Sequence, residues 1–175
     1  MEELSLDLEV TPGADLLQRV PLFKSLGWAE TMAVAEITHI EKHPEGYKIL
    51  EQDALGSALF LIKEGRVAVR HREQNGEVRE LAVLRDPELF GEMSLLQDNL
   101  VSADVVALTP VELIVMPRKE FESVLDRNPT LAIKVYKSFC RSISDKLRKA
   151  NTRLYDATQK ISDYAKALGF PKGTG

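Results

Sequence analysis

The sequence predicts an α+β fold: a mainly antiparallel β-roll or jelly-roll barrel, with short helices in front, one helix interrupting the strands and a long coiled-coil helix at the end. Three observations carry this. Between about Thr38 and Pro117, short β-rich runs alternate with turn residues, which is the pattern of a small sandwich or barrel. After Pro117 the apolar spacing changes to a helical period. From Tyr136 to Leu168, apolar residues recur in alternating steps of four and three, the repeat of a two-stranded coiled coil.

The acid-rich start, closing at Thr11-Pro12-Gly13, reads as a loosely held arm over residues 1–13. From Ala14 to about Ile37, Leu16, Leu17, Val20, Phe23, Leu26, Met32 and Val34 are spaced for short helices broken by Pro21 and by Gly27-Trp28. The strands follow: Ile37–Lys42, Tyr47–Leu50, Ala58–Ile62, Arg66–Arg72, Glu77–Val83, Asp104–Leu108 and Val111–Met116. Asn75-Gly76 joins the fourth and fifth, because both residues tolerate the positive φ of a tight hairpin. Pro87 to Leu96 breaks the strand pattern and reads as a short helix entered through Gly91, either a corner helix or a seat for an anion at its unpaired amides. Lys119–Leu125 is the next helix, and past Asn128-Pro129 a last one runs to about Leu168.

Charge divides the chain. The overall charge is −4, but residues 134–168 hold nine Lys/Arg against three acids, a local +6; with Lys172 outside, residues 1–133 sum to −11. An acidic domain over 14–133 and a basic dimerisation helix over 134–168 are expected, with a tail over 169–175. No apolar run approaches the ~18 residues of a membrane span, and the start has no signal-peptide character. The single cysteine, Cys140, forms no internal disulfide, which fits a cytoplasmic protein.

In the last helix one core position holds Cys140, Leu147, Leu154, Ile161 and Leu168. The other holds Tyr136, Ile143, Ala150, Ala157 and Tyr164. Lys146, Arg153 and Lys160 line one flank, and Ser144, Asn151 and Thr158 the other. A parallel pair sets the basic flank against the neutral one, whereas an antiparallel pair opposes like charges, so a parallel homodimer is expected. The alternative is a helix that folds back on its own barrel.

Pro21-Leu22-Phe23-Lys24-Ser25-Leu26, Leu59 to Val69 and Phe90-Gly91-Glu92-Met93-Ser94-Leu95-Leu96 stand in an order and spacing that resemble the cyclic nucleotide-binding domain family. That family includes catabolite activator proteins, kinase regulatory subunits and cyclic nucleotide-gated channels. The resemblance spans about Leu16 to Tyr136. It implies that the interrupting helix is a phosphate-binding cassette, with ligand contacts at Gly91, Glu92, Met93, Ser94, Val101, Ser102 and Ala103. The family's glutamate, matched by Glu92, accepts a ribose hydroxyl. The family's arginine is replaced by Val101, nine residues beyond Glu92.

A phosphate diester is held by a guanidinium fork through paired charge-assisted hydrogen bonds of ~1.5–3 kcal/mol, so its loss weakens binding by one to two orders of magnitude or more. Arg70, Arg72 and Arg79 are possible substitutes on the central hairpin. The family's glycine-acid turns have also drifted, to Glu51-Gln52-Asp53-Ala54-Leu55-Gly56 and to Asp86-Pro87-Glu88.

No catalytic constellation is visible, and His39 and His43 lack a third metal ligand in spacing, so neither an enzyme nor a metal protein is expected. Two functions stand. One is a homodimeric signalling adaptor with lost or much weakened cAMP/cGMP binding and a protein partner. The other is a cyclic nucleotide sensor of altered preference, relaying cassette movement to the dimer helix. The seven residues after Leu168 are too few for the helix-turn-helix of catabolite activator proteins, so DNA is not the expected partner.

Overall fold

The computed structural model of the chain describes residues 13–93 and 100–168. The arm over residues 1–12, Ser94 with the rest of the predicted interrupting helix, and the tail over 169–175 lie outside the described residues. The chain divides into two compact units, the first ending at Val135 and the second beginning at Tyr136.

The first unit opens with α1 (Ala14–Arg19) and α2 (Trp28–Ala35). Eight strands follow: β1 (His39–His43), β2 (Lys48–Leu50), β3 (Ala58–Glu64), β4 (Arg66–Arg72), β5 (Val78–Arg85), β6 (Leu89–Phe90), β7 (Asp104–Ala107) and β8 (Val111–Pro117). They form two antiparallel sheets of four strands, in the orders β1-β8-β3-β6 and β2-β7-β4-β5. Helix α3 (Arg118–Arg127) leads into α4 (Pro129–Ala167). The fold is the α+β roll that the pattern of short strands predicts.

Between the sheets lies an apolar cluster that includes Phe60, Ile62, Val67, Phe90, Val105, Leu113 and Val115. Leu59, Leu61, Ile114 and Met116 alternate with these along β3 and β8 and are fully buried, so these two central strands are covered on both faces. Phe23 meets Phe121 edge to face at 6.2 Å, which packs the helical lead-in against α3. Two glycines are required by the backbone. Gly65 turns β3 into β4 at φ +96°, where a Cβ would stand 2.5 Å from the Pro110 carbonyl oxygen. Gly91 is the other.

Two expectations are corrected. Leu89 and Phe90 are not helical: they pair with Leu61 and Phe60 as β6, and the Phe60 and Phe90 rings stack at 5.1 Å. Burial of that aromatic pair in the core outweighs the helix-like spacing, and helical geometry starts only at Met93. The hairpin turn is also longer than a two-residue one. The Glu73 amide donates to the Glu77 carbonyl at 2.8 Å and the Gly76 amide to the Glu73 carbonyl at 2.9 Å, giving a three-residue loop in which Gly76 alone has positive φ. The Asn75 side chain instead accepts from the Glu77 amide at 2.9 Å.

The second unit, from Tyr136, is the remainder of α4, an unbroken helix. Its heptad residues Leu147, Leu154 and Ile161 are 60%, 65% and 68% exposed on the single chain.

Candidate functional site

The candidate site is built where β6 ends and β7 begins. Gly91 leaves the strand at φ +83°, and a Cβ there would stand 2.9 Å from the Ala58 carbonyl oxygen. The position therefore needs both the left-handed conformation and the missing side chain. Glu92 follows and is 8% exposed, while Met93 has helical backbone and is exposed. Ser94 lies outside the described residues.

On the other flank, Val101 is 6% exposed and belongs to the apolar cluster with Leu50, Ala58, Phe60 and Phe90. Its backbone is clamped on both sides: its amide donates to the Ala54 carbonyl at 2.9 Å, and its carbonyl accepts from the Asp53 amide at 2.8 Å. Asp53 holds φ +65°, a left-handed conformation that aspartate tolerates better than most side chains. Ser102 is exposed and Ala103 buried. The Ser102 carbonyl faces His71 Nδ1 at 3.3 Å, and because a carbonyl only accepts, this bond places the ring proton on Nδ1.

The charged anchor of this region is Asp104, which the sequence pattern did not single out. Its Oδ1 accepts from the Gln52 amide at 2.7 Å. Its Oδ2 accepts from Arg72 Nη2 at 3.3 Å and lies 3.5 Å from Lys48 Nζ. Burial by itself would raise the Asp104 carboxyl, but the Gln52 amide, the Arg72 guanidinium and the Lys48 ammonium together hold it below its ordinary value. Gln52 completes the lock through its side chain, which donates to the Arg72 carbonyl at 3.1 Å and accepts from the Arg72 amide at 2.8 Å. Arg72 is thus tied to Asp104, and Lys48 is shared between Asp104 and Glu51, whose Oε1 accepts from its Nζ at 3.3 Å. Of the other candidate cations, Arg79 pairs with Glu73 at 3.1 Å and Arg70 lies 3.8 Å from Glu80.

A second feature lies along β1 and β2. His39, Glu41 and His43 share one face of β1, and both histidines direct Nε2 at the Glu41 carboxylate, at 3.1 and 2.9 Å. The His43 ring stacks on Tyr47 at 4.1 Å. Burial would raise the Glu41 carboxyl, and the bonds from the two imidazoles bring it below its ordinary value. A cleft of about 350 Å³ opens here, floored by Phe60 and Val115. Among the described residues, no group of three or more His, Cys, Asp or Glu is placed to hold a metal ion. No helix among them is long and apolar enough to cross a membrane.

The comparisons with known proteins agree with this architecture. The family model for the cyclic nucleotide-binding domain matches residues 40–128. The chain is 34% identical over 134 residues to a cyclic AMP receptor protein of Thermus thermophilus, covering 77% of this chain and 60% of that protein. It is 33% identical over 109 residues to a cAMP-dependent protein kinase regulatory subunit of Aspergillus fumigatus, covering 62% of this chain and 26% of that one. This chain therefore spans less than two thirds of either relative. Among solved structures, the Thermus thermophilus catabolite activator protein superposes with a TM-score of 0.68 at 32% identity, over 79% of this chain and 63% of that chain. A cyclic nucleotide-binding domain from Methylobacillus flagellatus shares the fold at a TM-score of 0.76 and 20% identity, over 84% and 85%. With the matched segment spanning half of its length and the strand–glycine–glutamate passage in place, the chain belongs to the cyclic nucleotide-binding domain family.

Proposed function

We propose that this chain is a non-catalytic, cytoplasmic regulatory protein that works as a homodimeric signalling adaptor, and that its cassette no longer binds cAMP or cGMP with high affinity. The observation that carries the reading is Val101. At the position that matches the family's arginine stands an apolar side chain packed into the core, with both backbone groups already engaged. A phosphate diester at this place would meet methyl groups instead of a guanidinium. The nearby Arg72 and Lys48 are held by Asp104, so recruiting either as a substitute means breaking a partly buried ion pair.

The dimer is supported by the heptad face of α4, whose leucines are more than half exposed on the single chain. Each buried leucine contributes roughly 1.5–3 kcal/mol, so a self-pairing helix gains several such terms at once. The basic and neutral flanks favour a parallel pair. A protein partner then reads the acidic domain or the basic helix.

A second reading, a weak sensor of altered ligand preference, is favoured by the retained Gly91 turn and by the buried Glu92 beside it. Thermal unfolding with cAMP and cGMP separates the two. The adaptor shows no saturable shift, and Val101→Arg gains one. A saturable micromolar response of the unaltered protein would overturn the adaptor reading.

A further inference from the structure

Strand β1 is an edge of its sheet, with β8 on one side and no strand on the other among the described residues. The ladder decides which of its backbone groups face outward. The Ile62 amide donates to the Glu88 carbonyl at 3.0 Å, so Phe60 and Ile62 bond toward β6, and Leu59 and Leu61 bond toward β8. Their partners Met116 and Ile114 therefore bond toward β3, while Val115 and Leu113 bond toward β1, where they meet His39 and Glu41. The amides and carbonyls of Ile40 and Lys42 are left pointing off the sheet, and no hydrogen bond reaches them among the described residues. Such groups accept a further strand. On the inner face of the same edge, His39, Glu41 and His43 border the cleft floored by Phe60 and Val115.

The start of the chain supplies the occupant. From Glu3 to Val10 it alternates without a break, with Leu4, Leu6, Leu8 and Val10 on one face and Glu3, Ser5, Asp7 and Glu9 on the other. It joins the domain at Gly13, where a Cβ would stand 2.6 Å from Ile114 Cδ1, and Ile114 is the cross-strand neighbour of Ile40. Three residue steps of roughly 3.3 Å take the chain from Gly13 across two strand spacings of ~4.8 Å to the free side of β1. Most of β1 lies from Ile40 toward His43, so a segment running back along it is antiparallel.

Charge selects the face. With the leucines over the cleft, the acids share the outer face with Ile40 and Lys42, and the two registers within reach set Asp7 or Glu9 opposite Lys42, whose side chain is 74% exposed. The reverse parity would set those acids against Glu41. Each Glu41 oxygen already accepts from an imidazole, so an apolar residue covers it without stripping it of a partner.

We propose that residues 4–10 dock antiparallel on the free edge of β1 of the same chain, bonding to the backbone of Ile40 and Lys42 and laying their leucine face over the cleft between the sheets. This docking is independent of the function proposed above.

Hydrogen exchange of the 175-residue chain, read amide by amide by NMR, tests it. The Ile40 and Lys42 amides are expected to exchange at least about tenfold more slowly than in the chain carrying Leu6→Asp and Leu8→Asp, while the Glu41 amide, bonded to β8, stays protected in both. Lys42→Glu removes the protection of Ile40, and adding Asp7→Lys with Glu9→Lys restores it to within about threefold. Leu147→Asp with Leu154→Asp, which removes the helical seam, leaves it unchanged. The docking is overturned if Ile40 and Lys42 exchange equally fast with and without the leucines, or if the two lysines restore nothing. It is overturned too if protection vanishes with the helical seam, which would assign the arm to a second copy.

Discussion

The amide of Asp53 donates to the carbonyl of Val101 at 2.8 Å, joining the loop after β2 to the segment before β7. The contact ties two departures from the family pattern to each other. The loop supplies its positive φ from Asp53, and its partner is the valine at the position that the family resemblance matches to an arginine. The bond runs between backbone groups and holds the segment before β7 against the loop after β2 from within the protein.

Gly91→Ala is expected to destabilise the domain by about 1–3 kcal/mol, because a side chain at φ +83° is strained and its Cβ would crowd the Ala58 carbonyl. Thermal or urea unfolding reads this directly. An unchanged midpoint would show that the strand-to-turn transition tolerates a side chain.

Asp104 gives the flank a pH dependence. Its carboxyl is held below the ordinary 3.8, opposing the effect of burial, by the Gln52 amide, Arg72 and Lys48. A depressed carboxylate stabilises the fold above its unfolded pKa, and that contribution is lost as pH falls through the lower folded value. Stability should therefore fall below about pH 4, and Asp104→Asn should flatten that part of the profile while costing about 1–3 kcal/mol at neutral pH. Urea titrations of both proteins between pH 2 and 7 check this, and parallel profiles would contradict it.

Much of this fold is legible in the chain because its determinants are local. Arg66–Arg72 starts and stops where alternation and the flanking turns put it, and α4 runs almost the length of its heptads. Strand β6 is different: Leu89 and Phe90 are too few for a period, and it is their pairing with Leu61 and Phe60 on β3, with the Phe90 ring stacked on Phe60, that fixes them as extended. At the site, Gly91, Glu92 and Val101 could be placed by family resemblance. Asp104 could not, because its partners Gln52, Arg72 and Lys48 lie on other elements and no local pattern relates them. The histidines of β1 were visible as residues, but only the strand geometry turns both onto Glu41.

The proposed helical dimer has a probe already built in. Cys140 is exposed and occupies a core position of the heptad, so in a parallel, in-register pair it faces its own copy. Mild oxidation should yield a disulfide-linked dimer that Cys140→Ser abolishes and Leu147→Asp with Leu154→Asp prevents. If the oxidised chain stays monomeric on a non-reducing gel, the parallel register is wrong.

Calorimetric titration of the unaltered 175-residue chain with cAMP and cGMP reads the cassette itself. The account predicts no saturable heat up to about 1 mM of either nucleotide, because Val101 supplies no charge for the phosphate. Saturable binding with a micromolar Kd would contradict it and would mean that another cation reaches the phosphate in place of the arginine.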